Sequence, residues 1–151
     1  MPDRGTPRPA PAHSIPLTVG EADLDDLGHV NNARYLVFLE RSRTGWYEAA
    51  GLFATCQDAH ARAGGRGRAD TVVVNIDIDF LSECRLGEAL AVDTAPIRLG
   101  GKSFVVRQAI VKADGALAAD AVVTSVVMDL ETRETIVLPR ELARLFPPPG
   151  T

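Results

Sequence analysis

The chain has 151 residues, 46% of them apolar and 24% charged, with a net charge of -4. That is the size of one domain, large enough to bury a core without metal or disulfide staples. The acidic balance supplies no global field for DNA or RNA, and no apolar run approaches the roughly 18 residues needed to span a bilayer. The two cysteines, Cys56 and Cys84, lie without a CxxC pattern, so they read as free thiols in a reducing compartment rather than as a disulfide frame or zinc ligands. The N-terminus lacks the apolar stretch of a secretory signal. The expected setting is a soluble, cytoplasmic protein with no membrane and no nucleic-acid partner.

Residues 1–14, MPDRGTPRPAPAHS, are rich in proline and poor in apolar side chains, which predicts a disordered tail. Residues 147–151 predict a second, shorter one, leaving a domain over 15–146. Ile15, Leu17 and Val19 alternate with polar neighbours and predict a first strand, placed at an edge by Pro16. From Asn31 the period changes. Tyr35, Leu36, Leu39, Ser42, Arg43, Trp46 and Ala50 recur at helical spacing, with Asn31 or Asn32 as cap and Gly51 as stop. This helix spans about 18 residues, or about 27 Å. Residues 54–70, polar and small and containing Gly64-Gly65-Arg66-Gly67-Arg68, read as a surface loop.

The remainder predicts strands. Val72, Val74, Ile76, Ile78 and Phe80 share one face, and Asn75, Asp77 and Asp79 the other, which reads as a solvent or interface face. A strand near 88–98, the turn Leu99-Gly100-Gly101-Lys102, a strand over 103–112 and the turn Ala113-Asp114-Gly115-Ala116 follow. Residues 117–130 are apolar on both faces, so both need cover. One face suits the helix, and the other is a candidate subunit contact. A short last helix near 139–145 begins at Pro139. The order strand, long helix, four antiparallel strands is α+β, with the sheet wrapped around one long central helix.

The chemistry concentrates in Asp23-Leu24-Asp25-Asp26-Leu27-Gly28-His29-Val30-Asn31-Asn32. The first amides of a helix have no intrahelical partner, and with the helix dipole they favour developing negative charge. A carboxylate just upstream can face the same spot, and Gly28 lets the backbone approach a ligand. A carbonyl bound there is polarised by N–H donors and attacked with help from the acid. Acidic residues before a helix are also common as plain caps, and Asp23 and Asp26 read as solvated loop charges or caps. The three histidines, His13, His29 and His60, are dispersed, which argues against a metal site.

The run DLDDLGHVNNARYLVFLERSR resembles the signature D-x-D-x-x-G-H-V-N-N-x-x-Y of hotdog-fold thioesterases of the 4-hydroxybenzoyl-CoA thioesterase-like family, and IDFLSECRLGEAL resembles that family's second-strand and turn region. The resemblance covers about residues 15–146. It implies hydrolysis of an acyl-CoA thioester to free acid and coenzyme A, with no cofactor beyond the coenzyme A of the substrate itself. It places the catalytic acid, base or nucleophile, on Asp25 and the carbonyl-polarising amide on Asn32. Gly28, His29, Val30, Tyr35 and Glu40 fall at substrate-binding positions, although Tyr35 and Trp46 read on burial grounds first as core. Coenzyme A carries phosphates, so a basic rim is expected, with Arg98, Lys102, Ser103 and the Arg66–Arg68 loop as candidates. A homodimer or homotetramer is implied. The alternatives are a thioesterase acting on an acyl-carrier protein and a non-catalytic acyl- or nucleotide-binding module.

Overall fold

The helical period beginning at Asn31 becomes α1, Asn32–Ala50. It ends where Gly51 takes a left-handed conformation, φ 67°, a geometry that costs a glycine little. The computed structural model describes residues 7–150. Their order is β1 (His13–Thr18), a 3-10 turn (Glu21–Asp23), α1, α2 (Leu52–Arg62), β2 (Ala69–Phe80), β3 (Ala89–Leu99), β4 (Ser103–Lys112), β5 (Leu117–Asp129) and a 3-10 turn (Arg140–Leu145). The strands form one antiparallel five-stranded sheet in the order β1-β3-β4-β5-β2.

The main departure from the sequence reading is α2. Residues 54–70 are not all loop: Leu52 and Cys56, four apart, are buried on one face of a helix that runs to Arg62. The alanines that read as small loop residues are the strongest helix formers. The predicted tail is also shorter than 1–14. β1 begins at His13 and pairs antiparallel with β3, Ile15 opposite Val92 and Leu17 opposite Leu90. Ahead of it, Arg8 donates to Asp93 at 3.0 Å and the Ala12 amide to the Thr94 carbonyl at 2.9 Å. Residues 1–6 of that predicted tail, and Thr151 of the other, lie outside the described residues. The last predicted helix, near 139–145, is a 3-10 turn that starts after Pro139.

Two strands also differ in their faces. On β2 the face expected to be apolar and covered leaves Val74 57% and Phe80 44% exposed. β2 is an edge strand, covered less than a central one. On β5, Ala118 through Val123 are all buried within the single chain, and one of them is Asp120, paired with Arg107 at 2.9 Å. Over this stretch both faces are covered within the chain; beyond it Thr124, Val126 and Met128, on the face of Asp120, are only half-buried.

By internal packing the chain falls into two compact units. The first holds residues through Trp46, Asp77–Ala95 and Arg107–Val122. Here α1 is joined to the sheet by a buried polar chain. Ser42 Oγ donates to the Val92 carbonyl at 2.7 Å and lies 2.9 Å from Thr94 Oγ1. Gln108 Nε2 donates to Thr94 Oγ1 and to the Leu39 carbonyl, and its Oε1 accepts from Arg43. Phe38 and Leu39 are fully buried around it, each stabilising the fold by about 1.5–3 kcal/mol. The second unit holds Tyr47–Ile76, Pro96–Val106 and the residues from Val123 on. Its centre is Phe104, in edge-on contact with Tyr47 at 5.9 Å and Phe146 at 6.1 Å.

Candidate active site

The loop before α1 belongs to the first unit and is laced to itself. The Asp25 amide donates to the His29 carbonyl at 3.0 Å, and the Gly28 amide to the Asp25 carbonyl at 3.1 Å. Asp25 Oδ1 accepts the Leu27 amide at 2.9 Å, an Asx turn that fixes the side chain. Gly28 has φ 82°, and a Cβ there would meet nothing within 4 Å. Glycine is needed for the turn's backbone angle, not for space. Short bridges pair Leu24 with Val30 and His29 with Arg85. The Val30 amide donates to the Cys84 carbonyl at 2.8 Å and the Asn31 amide to the Asp23 carbonyl at 3.0 Å.

Asn31 is the cap. Its Oδ1 accepts the Ala33 amide at 2.9 Å and its carbonyl accepts the Arg34 amide at 2.8 Å. The Asn32 amide stands between these two, and among the described residues it meets no acceptor. Asn32 as a residue is exposed, and the first N–H groups of a helix have no intrahelical acceptor. Asp25 and His29 are half-buried beside it in sequence, at 27% and 29% side-chain exposure. A half-open carboxylate can take a proton, and a helix amide without an acceptor can meet a developing negative charge.

The remaining predicted residues fall into two sets. Val30 and Tyr35 turn inward and are buried. Tyr35 donates its hydroxyl to the Ser82 carbonyl at 3.2 Å and stacks on Phe80 at 5.6 Å. Burial, and then the neighbouring Cys84 thiol, push its phenol far above the usual range, so it acts as a donor and not as a base. Glu40 is exposed, two turns along α1 from Asn32 and on the same face. Arg98, Lys102 and Ser103 lie on or beside the β3–β4 hairpin of the second unit, closed by the Gly100 amide donating to the Ser103 carbonyl at 2.7 Å. Of the Arg66–Arg68 loop, Arg68 is spent on Asp70 at 2.7 Å.

The sequence reading missed two supports. Asp23 is not a solvated charge: it is buried, accepts the Gly20 amide, and pairs with Arg34 at 2.8 Å. A cation in the first turn opposes the helix dipole unless it is paired, so Arg34 was the available signal. The second support is the β2–β3 turn. There Glu83 pairs with Arg85, Lys112 reaches the Glu83 carbonyl, and Glu88 pairs with Lys112. In the second unit a cavity of about 630 Å³ is lined by His60, Arg66 and Asp129 among others, and by none of Asp25, His29, Asn32, Tyr35 and Glu40. Among the described residues no three His, Cys, Asp or Glu side chains are grouped to hold a metal ion.

Comparison with known proteins identifies the family. The thioesterase-like superfamily profile matches residues 19–146. The long-chain acyl-CoA thioesterase FadM of Escherichia coli (strain K12) is 38% identical over 120 residues, covering 79% of this chain and 85% of that one. The crystal structure of YbaW, a probable thioesterase from Escherichia coli, superposes with a TM-score of 0.68 at 31% identity, over 87% of this chain and 94% of its own. A probable thioesterase from Bartonella henselae superposes with a TM-score of 0.72 at 27% identity, over 84% and 98%. The chain belongs to the thioesterase-like superfamily, with the hotdog-type sheet and helix of its members.

Proposed function

We propose that this protein hydrolyses an acyl-CoA thioester to the free acid and coenzyme A. The observation that carries the reading is the Asn32 amide without an acceptor at the start of α1, with the amide-fixed Asp25 carboxylate in the loop that leads to it. The relative at 38% identity, a long-chain acyl-CoA thioesterase, supports the substrate class.

In this mechanism the thioester oxygen accepts from the Asn32 amide. Asp25, ionised, takes a proton from water as the water oxygen bonds to the carbonyl carbon. The negative charge that develops on the carbonyl oxygen is met by an N–H whose direction is already set, so little reorganisation is needed. Collapse of the tetrahedral intermediate breaks the C–S bond and releases the coenzyme A thiolate, which takes up a proton. Asp25 acting instead as nucleophile forms a mixed anhydride that water then opens.

The finer assignments belong to the same reading. α1 is the central helix about which the sheet curves. Gly28, His29 and Glu40 line the approach to Asp25, with Val30 and Tyr35 beneath. Arg98, Lys102 and Ser103 receive the phosphates of coenzyme A. The protein works in the cytoplasm as a homodimer or homotetramer, with Val73 and Val74, exposed on edge strand β2, as surface for a second copy. No helix of the described residues is long and apolar enough to cross a membrane.

Thiol release from purified protein tests the proposal. The panel holds short, medium, long and aromatic acyl-CoAs and an acyl-carrier protein. Turnover of an acyl-CoA that falls at least about 100-fold in Asp25→Asn, with folding and oligomeric state kept, is the expected result. Release from the carrier protein alone points to the carrier-protein thioesterase, and release from none to a binding module. An Asp25→Asn variant as fast as the parent refutes the role of Asp25.

A further inference from the structure

We propose that His29 and Glu83 form a positioning relay for Asp25, the imidazole standing between the two carboxylates and holding the acid in its working orientation. The inference rests on the reading of Asp25 as the catalytic acid.

The two ring nitrogens of His29 face different carboxylates. Nδ1 lies 3.6 Å from Asp25 Oδ2, and Nε2 lies 4.0 Å from Glu83 Oε2. Asp25 Oδ1 is already taken by the Leu27 amide, so Oδ2 is the oxygen that still needs an orienting partner. Both separations are somewhat beyond hydrogen-bond length. Contacts around a reacting group are often long before substrate closes on it. The backbone of His29 has little freedom of its own. Its carbonyl accepts the Asp25 amide, and the residue bridges Arg85 on the facing strand segment.

Glu83 is half-exposed, and an exposed carboxylate ordinarily contributes little. This one is built in. Its Oε1 accepts from Arg85 at 2.7 Å, which leaves Oε2 toward the imidazole. Its carbonyl accepts from Lys112 Nζ at 2.9 Å, and Lys112 is in turn paired with Glu88 at 3.2 Å. Glu88 Oε2 accepts the Arg85 amide and closes the turn. The hydrogen bond from Arg85 also holds the Glu83 carboxyl below the usual carboxylate range. The charged groups around His29 are therefore Asp25 from its own loop, Glu83 and Arg85 from the β2–β3 turn, and Lys112 and Glu88 behind them. Arg34, at the start of α1, is committed to Asp23.

An acid oriented by an imidazole, itself oriented by a third group, follows the logic by which reacting side chains are locked in place. A misplacement of about 1 Å can cost about 100-fold in rate. Glu83→Gln, His29→Ala, His29→Gln and the His29→Ala/Glu83→Gln double variant test the relay in the acyl-CoA assay. His29→Ala lowers kcat roughly 10- to 100-fold with KM changed less than about twofold. His29→Gln, which keeps an N–H, restores roughly tenfold of that loss. Glu83→Gln lowers kcat less, and in the double variant adds nothing to the loss from His29→Ala. Melting temperatures within about 2 °C of the parent separate these effects from misfolding.

A His29→Ala variant at the parent kcat, losses that multiply in the double variant, or a His29→Gln variant no faster than His29→Ala overturns the relay. If Asp25→Asn is dead in the same assay, the proposed function stands without it. A parent protein that releases no thiol from any acyl-CoA refutes the function itself.

Discussion

The guanidinium of Arg34 grips the carboxylate of Asp23 through Nε at 2.9 Å and a terminal nitrogen at 2.8 Å. This contact ties the first turn of α1 to the segment just ahead of Asp25. The other Asp23 oxygen holds the Gly20 amide at 2.9 Å, so one buried carboxylate fixes both ends of the loop. Asp23→Ala leaves the Arg34 guanidinium and the Gly20 amide without their shared acceptor, at about 1–3 kcal/mol. The expected outcome is a melting temperature lower by roughly 3–8 °C and a reduced kcat, read by calorimetry and by thiol release. An unchanged melting temperature would sink the idea that this pair anchors the loop.

Gln108 carries the polar chain inside the first unit. It accepts from Arg43 at 3.0 Å and donates to Thr94 and to the Leu39 carbonyl. Gln108→Leu keeps the volume but takes a partner from the buried Arg43 guanidinium, from the Leu39 carbonyl and from the Thr94 hydroxyl, which keeps only Ser42. We expect a loss of about 2–4 kcal/mol in urea unfolding. A loss below about 1 kcal/mol would mean that water replaces the amide.

Asp129 gives the stability a pH dependence. His60 Nε2 lies 2.7 Å from its Oδ2, and Oδ1 accepts the Glu131 and Thr132 amides. The bond to His60 comes first among the causes that lower its pKa to about 2. A folded-state value below the unfolded one means that the ionised form favours folding. The contribution is complete above the range where an unfolded carboxyl titrates. It is lost as pH falls toward about 2. Asp129→Asn should therefore melt below the parent near neutral pH, with the gap closing in acid. A gap that stays constant from about pH 7 to about pH 3 would contradict the assignment.

Burial pushes the Cys56 thiol up to about 11 and raises that of Cys84 as well. Both are therefore thiols, not thiolates, near neutrality, and both are enclosed. Iodoacetamide at about pH 8 should label neither in the folded protein and both in denaturant, as followed by mass spectrometry. Rapid native labelling of either would show that its surroundings open.

Much of the fold was legible because its periods are clean. α1 announced itself through apolar recurrence, and β4 and β5 through the turns that bound them. α2 was not legible, because Ala-rich segments with little apolar contrast carry helix propensity without a stripe. The faces of β2 and β5 depended on sheet order, which alternation alone does not encode: an edge strand exposes part of an apolar face, and a central one buries an aspartate. At the candidate site, Asp25, Gly28 and Asn32 were singled out by the family resemblance, and their roles belong to the proposed function. Asp23–Arg34 and the Glu83 turn were not legible. They depend on residues 11 apart across a bend, and on a turn more than 50 residues from the loop that it faces.

The loop from Asp23 to Asn31 is held at nearly every step by its own amides, by Cys84 and by the cap at Asn31. Most of its conformational entropy was therefore surrendered when the chain folded, and little is left to lose when substrate arrives. The barrier to turnover should then be mainly enthalpic, with an activation entropy near that of a rigid site. Warming should quicken the reaction smoothly until the whole domain melts, with no earlier break from a loop coming loose.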